Sequence, residues 1–367
     1  MKKHLRLLLP LAMLVLAAAL YVHFYVTFVR PPPPLTSGEK QMTEALFTDT
    51  KTQCTGRYLF EVPVSFANTL HNRAKIGNAS ITSKRTYRPV FEQRIRLREE
   101  ELKKGHTVDP EDQPFLKQVY RLNDNAVIFD RNENESVPGF GRILEGHLYT
   151  DGVAFLVEME IIDYSDPKYA KDRASFLRDG SSPSTAFTKP QKLAEMQDLL
   201  SRLSGRKDEE IPTQPGTCIA DGFIRDGRGQ PKENITFVYP HNNNFSLSVS
   251  TNTYLGDSTS MLERSAEIQP YLALINGRTL RKGVARIAGF NTDEWLTIAY
   301  PEDSEDVPST KLMFLAINNE KSVNFHHPIL DLTLSNHALP TPTYSNAQLV
   351  EIWDRITRTF RIRPGAF

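Results

Sequence analysis

Across 367 residues, 40% are hydrophobic and 24% charged, the balance of a folded protein, and the length favours two domains over one. Basic and acidic residues match at 44 each, but residues 1–36 hold Lys2, Lys3, Arg6 and Arg30 and no acid, leaving 40 basic against 44 acidic side chains in the body. A mildly acidic body disfavours nucleic acid, whose phosphates select a basic face.

Residues 7–29 are almost wholly apolar, interrupted by Pro10, His23 and Thr27. At about 1.5 Å per helical residue the run can cross a hydrocarbon core of about 30 Å. Lys2, Lys3 and Arg6 precede it, which keeps that end in the cytoplasm and sends the body outward. This predicts a single-pass inner-membrane anchor with the body in the periplasm. The rival is a signal segment cleaved near Ala17-Ala18-Ala19, giving a soluble periplasmic body. Pro31 to Pro34 then read as a polyproline spacer that lifts the body off the membrane.

The body is organised by a stretch that comes round twice: Cys54-Thr-Gly-Arg-Tyr-Leu-Phe-Glu-Val-Pro63 and Gly216-Thr-Cys218-Ile-Ala-Asp-Gly222-Phe-Ile224. Each reads as a cysteine at the mouth of a short apolar strand. After the first, residues 79–87 predict a strand and Pro89 opens a helix, with Phe91, Ile95 and Leu102 as its apolar stripe and Arg94, Arg98, Glu99 and Glu100 on a solvated face. Residues 105–116 read as an exposed acidic loop. Strand runs follow over 115–129, then a hairpin over 142–162 turning at Asp151-Gly152, which supplies the positive φ of a tight turn. Leu193, Met196, Leu199, Leu200 and Leu203 keep helical spacing up to a stop at Gly205, and residues 206–215 read as a linker.

After the second cysteine, residues 234–239 and 245–251 read as strands, the Leu247/Val249 alternation giving one buried face. A helix is predicted over 261–275, with Leu262, Ile268, Leu272 and Ile275 inward. Strands at 286–290 and 294–300 bracket Asn-Thr-Asp, and two more lie at 312–317 and 329–334. A closing helix starts at the capping Ser345 and buries Leu349, Ile352, Trp353 and Ile356. The expectation is an α+β fold of two related modules, residues 37–210 and 211–367, behind the segment 1–36. Each module is a mainly antiparallel curved sheet with helices on one side.

Catalytic signatures are lacking. The chain has no Gly-x-Ser-x-Gly elbow, no His-Glu-x-x-His and no phosphate-binding Gly-x-x-x-x-Gly-Lys-Ser/Thr. Asp130-Arg-Asn132-Glu-Asn134 starts like a calcium loop, but Glu135 stands where glycine is needed and Gly141 where a bidentate acid is needed, so it reads as a polar turn. His326 and His327 would point to opposite faces of a strand and cannot share one ion. Arg57 and Glu61 read as a surface pair. No catalytic, metal or cofactor residue is assigned. The two cysteines of an exported chain either bridge Cys54 to Cys218, closing a loop of about 160 residues, or sit apart as buried thiols.

The two cysteine motifs resemble the openings of the two domains of bacterial immunity proteins that neutralise type VI secreted lipases: Cys-x-Gly-Arg-Tyr-hydrophobic-x-hydrophobic-Pro at Cys54 to Pro63, and Cys-hydrophobic-x-x-Gly-Phe-Ile at Cys218 to Ile224. The resemblance spans the chain from about residue 50 to its end. It implies a non-enzymatic two-domain periplasmic protein whose partner is a phospholipase effector, with the substrate entrance blocked. No partner-contacting residue carries over by position. The contact surface expected here is the cleft between modules with the loops 105–116 and 301–309. An envelope-anchored hydrolase with an unrecognised site and a structural subunit of an envelope complex are the alternatives.

Overall fold

The computed structural model of the chain describes residues 31–68, 72–242, 244–256, 259–300, 310–318, 321–336 and 342–367. The apolar run 7–29 and the loop 301–309 lie outside these. Among the described residues no helix is long and apolar enough to cross a membrane.

The first half begins with α1 (Ser37–Leu46) and a hairpin of β1 (Thr50–Thr55) and β2 (Tyr58–Pro63). Then come β3 (Arg73–Ile76), β4 (Ala79–Arg85), α2 (Arg88–Lys104), β5 (Leu116–Asn123), β6 (Ala126–Asn132), β7 (Gly141–Thr150) and β8 (Val153–Ile162). Helices α3 (Ala170–Arg178) and α4 (Lys189–Arg202) and the short β9 (Leu203–Gly205) close it. The second half repeats the plan. A hairpin of β10 (Gly216–Ile219) and β11 (Gly222–Arg225) leads to β12 (Glu233–His241), β13 (Phe245–Asn252) and α5 (Ser265–Leu274). Strands β14 (Gly277–Ile287), β15 (Phe290–Ala299), β16 (Lys311–Asn318) and β17 (Ile329–Ser335) follow, then α6 (Asn346–Thr357) and β18 (Arg361–Ile362).

Twelve strands form one antiparallel sheet, in the order β14-β15-β16-β17-β13-β12-β3-β4-β8-β7-β6-β5. Counted outward from the β12–β3 seam, the two halves place their strands in the same sequence, so the repeat expected from element order is a pseudo-twofold of topology. The expected cleft between modules is bridged at this seam, where Glu233 pairs with Ile76 and Thr236 with Arg73. Ile235, Phe237, Tyr239, Leu247, Val249, Leu332, Leu334, Val157 and Phe155 line one face as a continuous core, covered by the hairpins and by α4 and α6. Helix α2 lies on the other face, where Phe91, Ile95 and Leu102 pack with Val127 and Phe129. Helices therefore flank both faces, not one.

Each cysteine stretch is a hairpin and not a single strand. Gly56 turns the first with φ of 58°, and a Cβ there would stand 2.8 Å from Thr251 Oγ1. Asp221 turns the second with φ of 52°. The hairpins meet back to back, Gly56 N donating to Cys218 O at 3.0 Å and Cys218 N to Gly56 O at 2.7 Å. Across this contact Cys54 and Cys218 stand with their sulfurs 2.03 Å apart. The terminal strands then cross over: β9 pairs with β11 of the second half, and β18 pairs with β2 of the first.

Several local expectations change for identifiable reasons. The predicted linker is fixed, because buried Arg206 donates from Nη1 to the carbonyls of Lys207, Asp208 and Glu210 at 2.9–3.1 Å. The β14–β15 hairpin turns at Ala288-Gly289, both at positive φ, so Asn291 to Asp293 belong to β15. Asp130, Arg131 and Asn132 are buried in β6 and not in a turn. The closing helix is as the sequence suggests. Ser345 Oγ accepts from Gln348 N at 3.3 Å, and Gln348 Oε1 accepts from Ser345 N at 3.0 Å. Replacing Ser345 by Ala is expected to lower stability by about 1 kcal/mol, read as a shift of the urea midpoint at constant slope.

Candidate functional site

Register defines which side chains share the face opposite the main core. Val238, Ser248 and Thr333 are direct cross-strand neighbours, as are Thr236, Ser250 and Asp331. Leu315 and Ile317 continue these two rows into β16. In the other direction Asn234 meets Lys75, which meets Ser80, which meets Glu158. Hydroxyl side chains of this kind alternate with core residues because successive strand residues point to opposite faces. Phe245-Ser-Leu-Ser-Val-Ser-Thr251 is therefore apolar inward and serine outward. The Leu247/Val249 alternation in the sequence points to the buried face; the serines between them form the other.

Two helices occupy topologically equivalent places beside this face. Helix α2 follows β4, and α5 follows β13. Between them run β8, β4, β3, β12, β13, β17 and β16, uncovered among the described residues and about 30 Å wide at the usual strand spacing. The floor is graded. Met313, Leu315 and Ile317 make one side apolar, serine and threonine fill the middle, and exposed Arg73, Lys75 and Lys84 give way to Glu158 and Glu160 on the other. Small side chains in the centre let another surface come close to the sheet.

The two walls differ. Helix α2 buries three apolar residues and is clamped from outside by Arg98, whose Nε and Nη2 reach Glu145 at 2.9 and 2.8 Å. The predicted solvated face is thus partly an anchoring face. Arg131 Nε at 2.5 Å and His147 Nε2 at 2.9 Å complete the cluster. Burial alone would raise the Glu145 carboxyl, but hydrogen bonds from Arg98, His147 and Arg131 outweigh it and hold the group well below the usual carboxylate range. A depressed carboxylate contributes stability that is present above its unfolded pKa of about 4.3 and is lost as pH falls toward the folded value. Glu145→Gln is therefore expected to cost on the order of 2 kcal/mol at pH 7 and to flatten the stability profile below pH 5. An unchanged acid limb in urea titrations would sink this assignment.

Helix α5 is the opposite case. Of the residues expected inward, Ile268 and Leu272 are half-buried, Leu262 precedes the helix, and Ile275, beyond its end, is 46% exposed; the other side of the helix leaves Tyr271 71% and Leu274 82% exposed. Pro270 sits inside the helix. Periodicity reported an apolar helix without reporting what it would cover.

The remaining sequence candidates fall elsewhere. Arg57 does not pair with Glu61. It is buried, with Nη2 at 2.7 Å from both Asp226 Oδ1 and Glu233 Oε1, because the hairpin turn aims it across the junction. Glu61 instead meets Arg361 at 2.9 Å. His326 and His327 lie in the loop before β17, where their backbone amides approach Asn324 Oδ1. Loop 105–116 is not uniformly exposed, since Asp112 is buried and accepts from the Tyr169 hydroxyl. On the open face, Asp331 is joined by Thr333 Oγ1 at 3.1 Å, and burial pushes its carboxyl up. The register positions of this face in β12, β13, β16 and β17 hold no histidine, so no imidazole there activates Ser248 or Ser250.

A paired, disulfide-centred scaffold carries this open sheet face. The chain belongs to the Tle cognate immunity protein 4 family, matching its N-terminal domain over residues 51–206 and its C-terminal domain over residues 210–365. Comparison with the curated proteins gave no match. Among solved structures, the apo immunity protein TplEi of the type VI secretion system (T6SS) from Pseudomonas aeruginosa is similar with TM-score 0.67 at 18% identity, over 86% of this chain and 98% of that one. The Tle4-Tli4 complex gives 0.68 at 17%, over 86% and 98%. TplEi bound to an "L" peptide gives 0.63 at 17%, over 86% and 99%. At these identities the structures speak to the fold.

Proposed function

We propose that this chain is a periplasmic immunity protein that binds a type VI secreted phospholipase effector, blocks its substrate entrance and is itself no enzyme. Its body comprises the modules 37–210 and 211–367, and residues 7–29 hold it in the inner membrane. The observation that carries the reading is the open floor between α2 and α5: small hydroxyl side chains, graded in polarity, on a sheet stiffened across the seam. Such a floor offers close approach and many hydrogen bonds. The domain architecture supports the partner class, and the apolar run followed by Pro31 supports the anchor.

Substitution in the floor tests it. Ser248→Arg combined with Thr333→Arg places two long cations in the centre, on half-exposed positions. Affinity for the cognate phospholipase is expected to fall about 100-fold or more, and inhibition of lipid hydrolysis to be lost with it. Unfolding midpoints should stay within about 0.5 kcal/mol, as for surface changes. Undiminished binding, measured by titration calorimetry, would remove the floor from the interface.

A further inference from the structure

The end of the molecule nearest residue 30 carries more than an anchor exit. Pro32, Pro33, Pro34 and Leu35 share a hollow with Ala347, Val350 and Glu351 of α6, so the prolines lie beside the body and do not hold it at a distance. Helix α1 is pinned there as well: Gln348 Nε2 donates to Glu39 O at 3.2 Å, and Arg355 Nη1 reaches Glu44 at 3.1 Å. Two residues, Arg30 and Pro31, separate Val29, the last of the apolar run, from Pro32. At no more than about 3.6 Å per residue, the end of that run stands within about 11 Å of Pro32, which shares its hollow with α6.

The C-terminal end of α5 is at the same place. Asn276 Nδ2 donates to Tyr300 O at 3.4 Å, and Asn346 Nδ2, in the first turn of α6, lies 3.5 Å from the Tyr300 hydroxyl. One tyrosine therefore spans from the start of α6 to the end of α5. Beside it Arg278 lies 5.3 Å from the Tyr300 ring centre, and Tyr271, Leu274 and Ile275 are exposed. Apolar side chains with tyrosine and arginine among them are what the headgroup region takes up.

We infer that Tyr271, Leu274 and Ile275 rest in the headgroup region of the bilayer crossed by residues 7–29, making α5 a second, interfacial membrane contact. This rests on the anchored reading and adds to it an orientation. With one flexible attachment the body would tumble; with two it stands with a fixed end down, and the floor between α2 and α5 is held beside the surface on which a phospholipase acts.

The test uses the full chain with Tyr271→Trp as a probe, since Trp295 and Trp353 are 2% and 0% exposed and give a constant background that the wild type subtracts. Val108→Trp, at a site 74% exposed in the loop after α2, is the control. In isolated membranes the Trp at 271 is expected to emit to the blue and to be quenched by phospholipids brominated near the headgroup, while the Trp at 108 emits as in water. Alkaline extraction separately reports the anchor. If the chain is released, the anchored reading fails, and the same probe is then read against added vesicles of phosphatidylethanolamine and phosphatidylglycerol. Blue-shifted, quenched emission there still supports lipid contact by α5. Water-like emission from position 271 in either setting overturns the proposal. So does equal quenching at both positions, or a shift that appears only when the phospholipase effector is added, which would assign the face to the protein partner.

Discussion

Arg57→Met is expected to lower stability at pH 7 by about 3–5 kcal/mol, the usual cost of removing one partner from a buried charged network. Arg57 is 2% exposed and donates to Asp226 at 2.7 and 3.0 Å and to Glu233 at 2.7 and 3.3 Å. It also donates to the carbonyl of Ala366 and lies 3.9 Å from the Phe325 ring centre. The first half thereby holds four residues of the second, Asp226, Glu233, Phe325 and Ala366. Burial pushes the Glu233 carboxyl up, and Arg57 is the main group that opposes it. Without Arg57 that carboxyl rises further. An acid whose folded pKa exceeds its unfolded value of about 4.3 leaves stability intact at low pH and removes it as pH rises through the folded pKa. The variant should therefore be less impaired near pH 4.5 than at pH 8. Adding Glu233→Gln should recover part of the loss at neutral pH, because the stranded charge goes with it. Urea titrations at the two pH values decide the matter. A loss below about 1 kcal/mol at pH 7 would mean that the network adds specificity and not stability.

The second large effect is expected from Cys54→Ala with Cys218→Ala. The two positions are 164 residues apart, and cross-linking a loop of that length restricts the unfolded chain by about 5 kcal/mol in the entropic account. Both sites are buried, at 1% and 0% exposure, so alanine avoids burying an unpaired hydroxyl. The expected result is a loss of about 2–5 kcal/mol, reproduced when the wild type is unfolded under reducing conditions. The hairpins would keep their backbone bridge and the sheet its seam, so the halves should still dock. Mass spectrometry of the alkylated, unreduced chain gives the direct check. Two alkylated thiols would show that the pair does not bridge in the protein and would withdraw the prediction.

In both cases the decisive contacts are long-range, and this marks how far the sequence could be read. The cysteine motifs, the Asp151-Gly152 turn, the capping Ser345 and the stripe of Phe91, Ile95 and Leu102 were legible because each acts within a few residues. A turn needs its own positive φ, a cap its own third amide, and an amphipathic helix its own period. The same rules misplaced the β14–β15 turn by preferring Asn-Thr-Asp to Ala288-Gly289. They also paired Arg57 with Glu61 because only neighbours in sequence were available as partners.

By itself, then, the sequence determined the element types, the two-fold repetition of a cysteine motif and the absence of catalytic signatures. These follow from local backbone preference and from residue identity. Only the tertiary structure decided that the two halves share one sheet, that β9 and β18 each cross to the other half, and that Arg57 faces carboxylates far along the chain. It also decided that α2 buries an apolar stripe while its counterpart α5 has no fully buried residue. Periodicity states which side of an element is apolar, but not what will meet it. That depends on which strand edges find each other, an outcome of the whole chain's packing that no short window of residues contains.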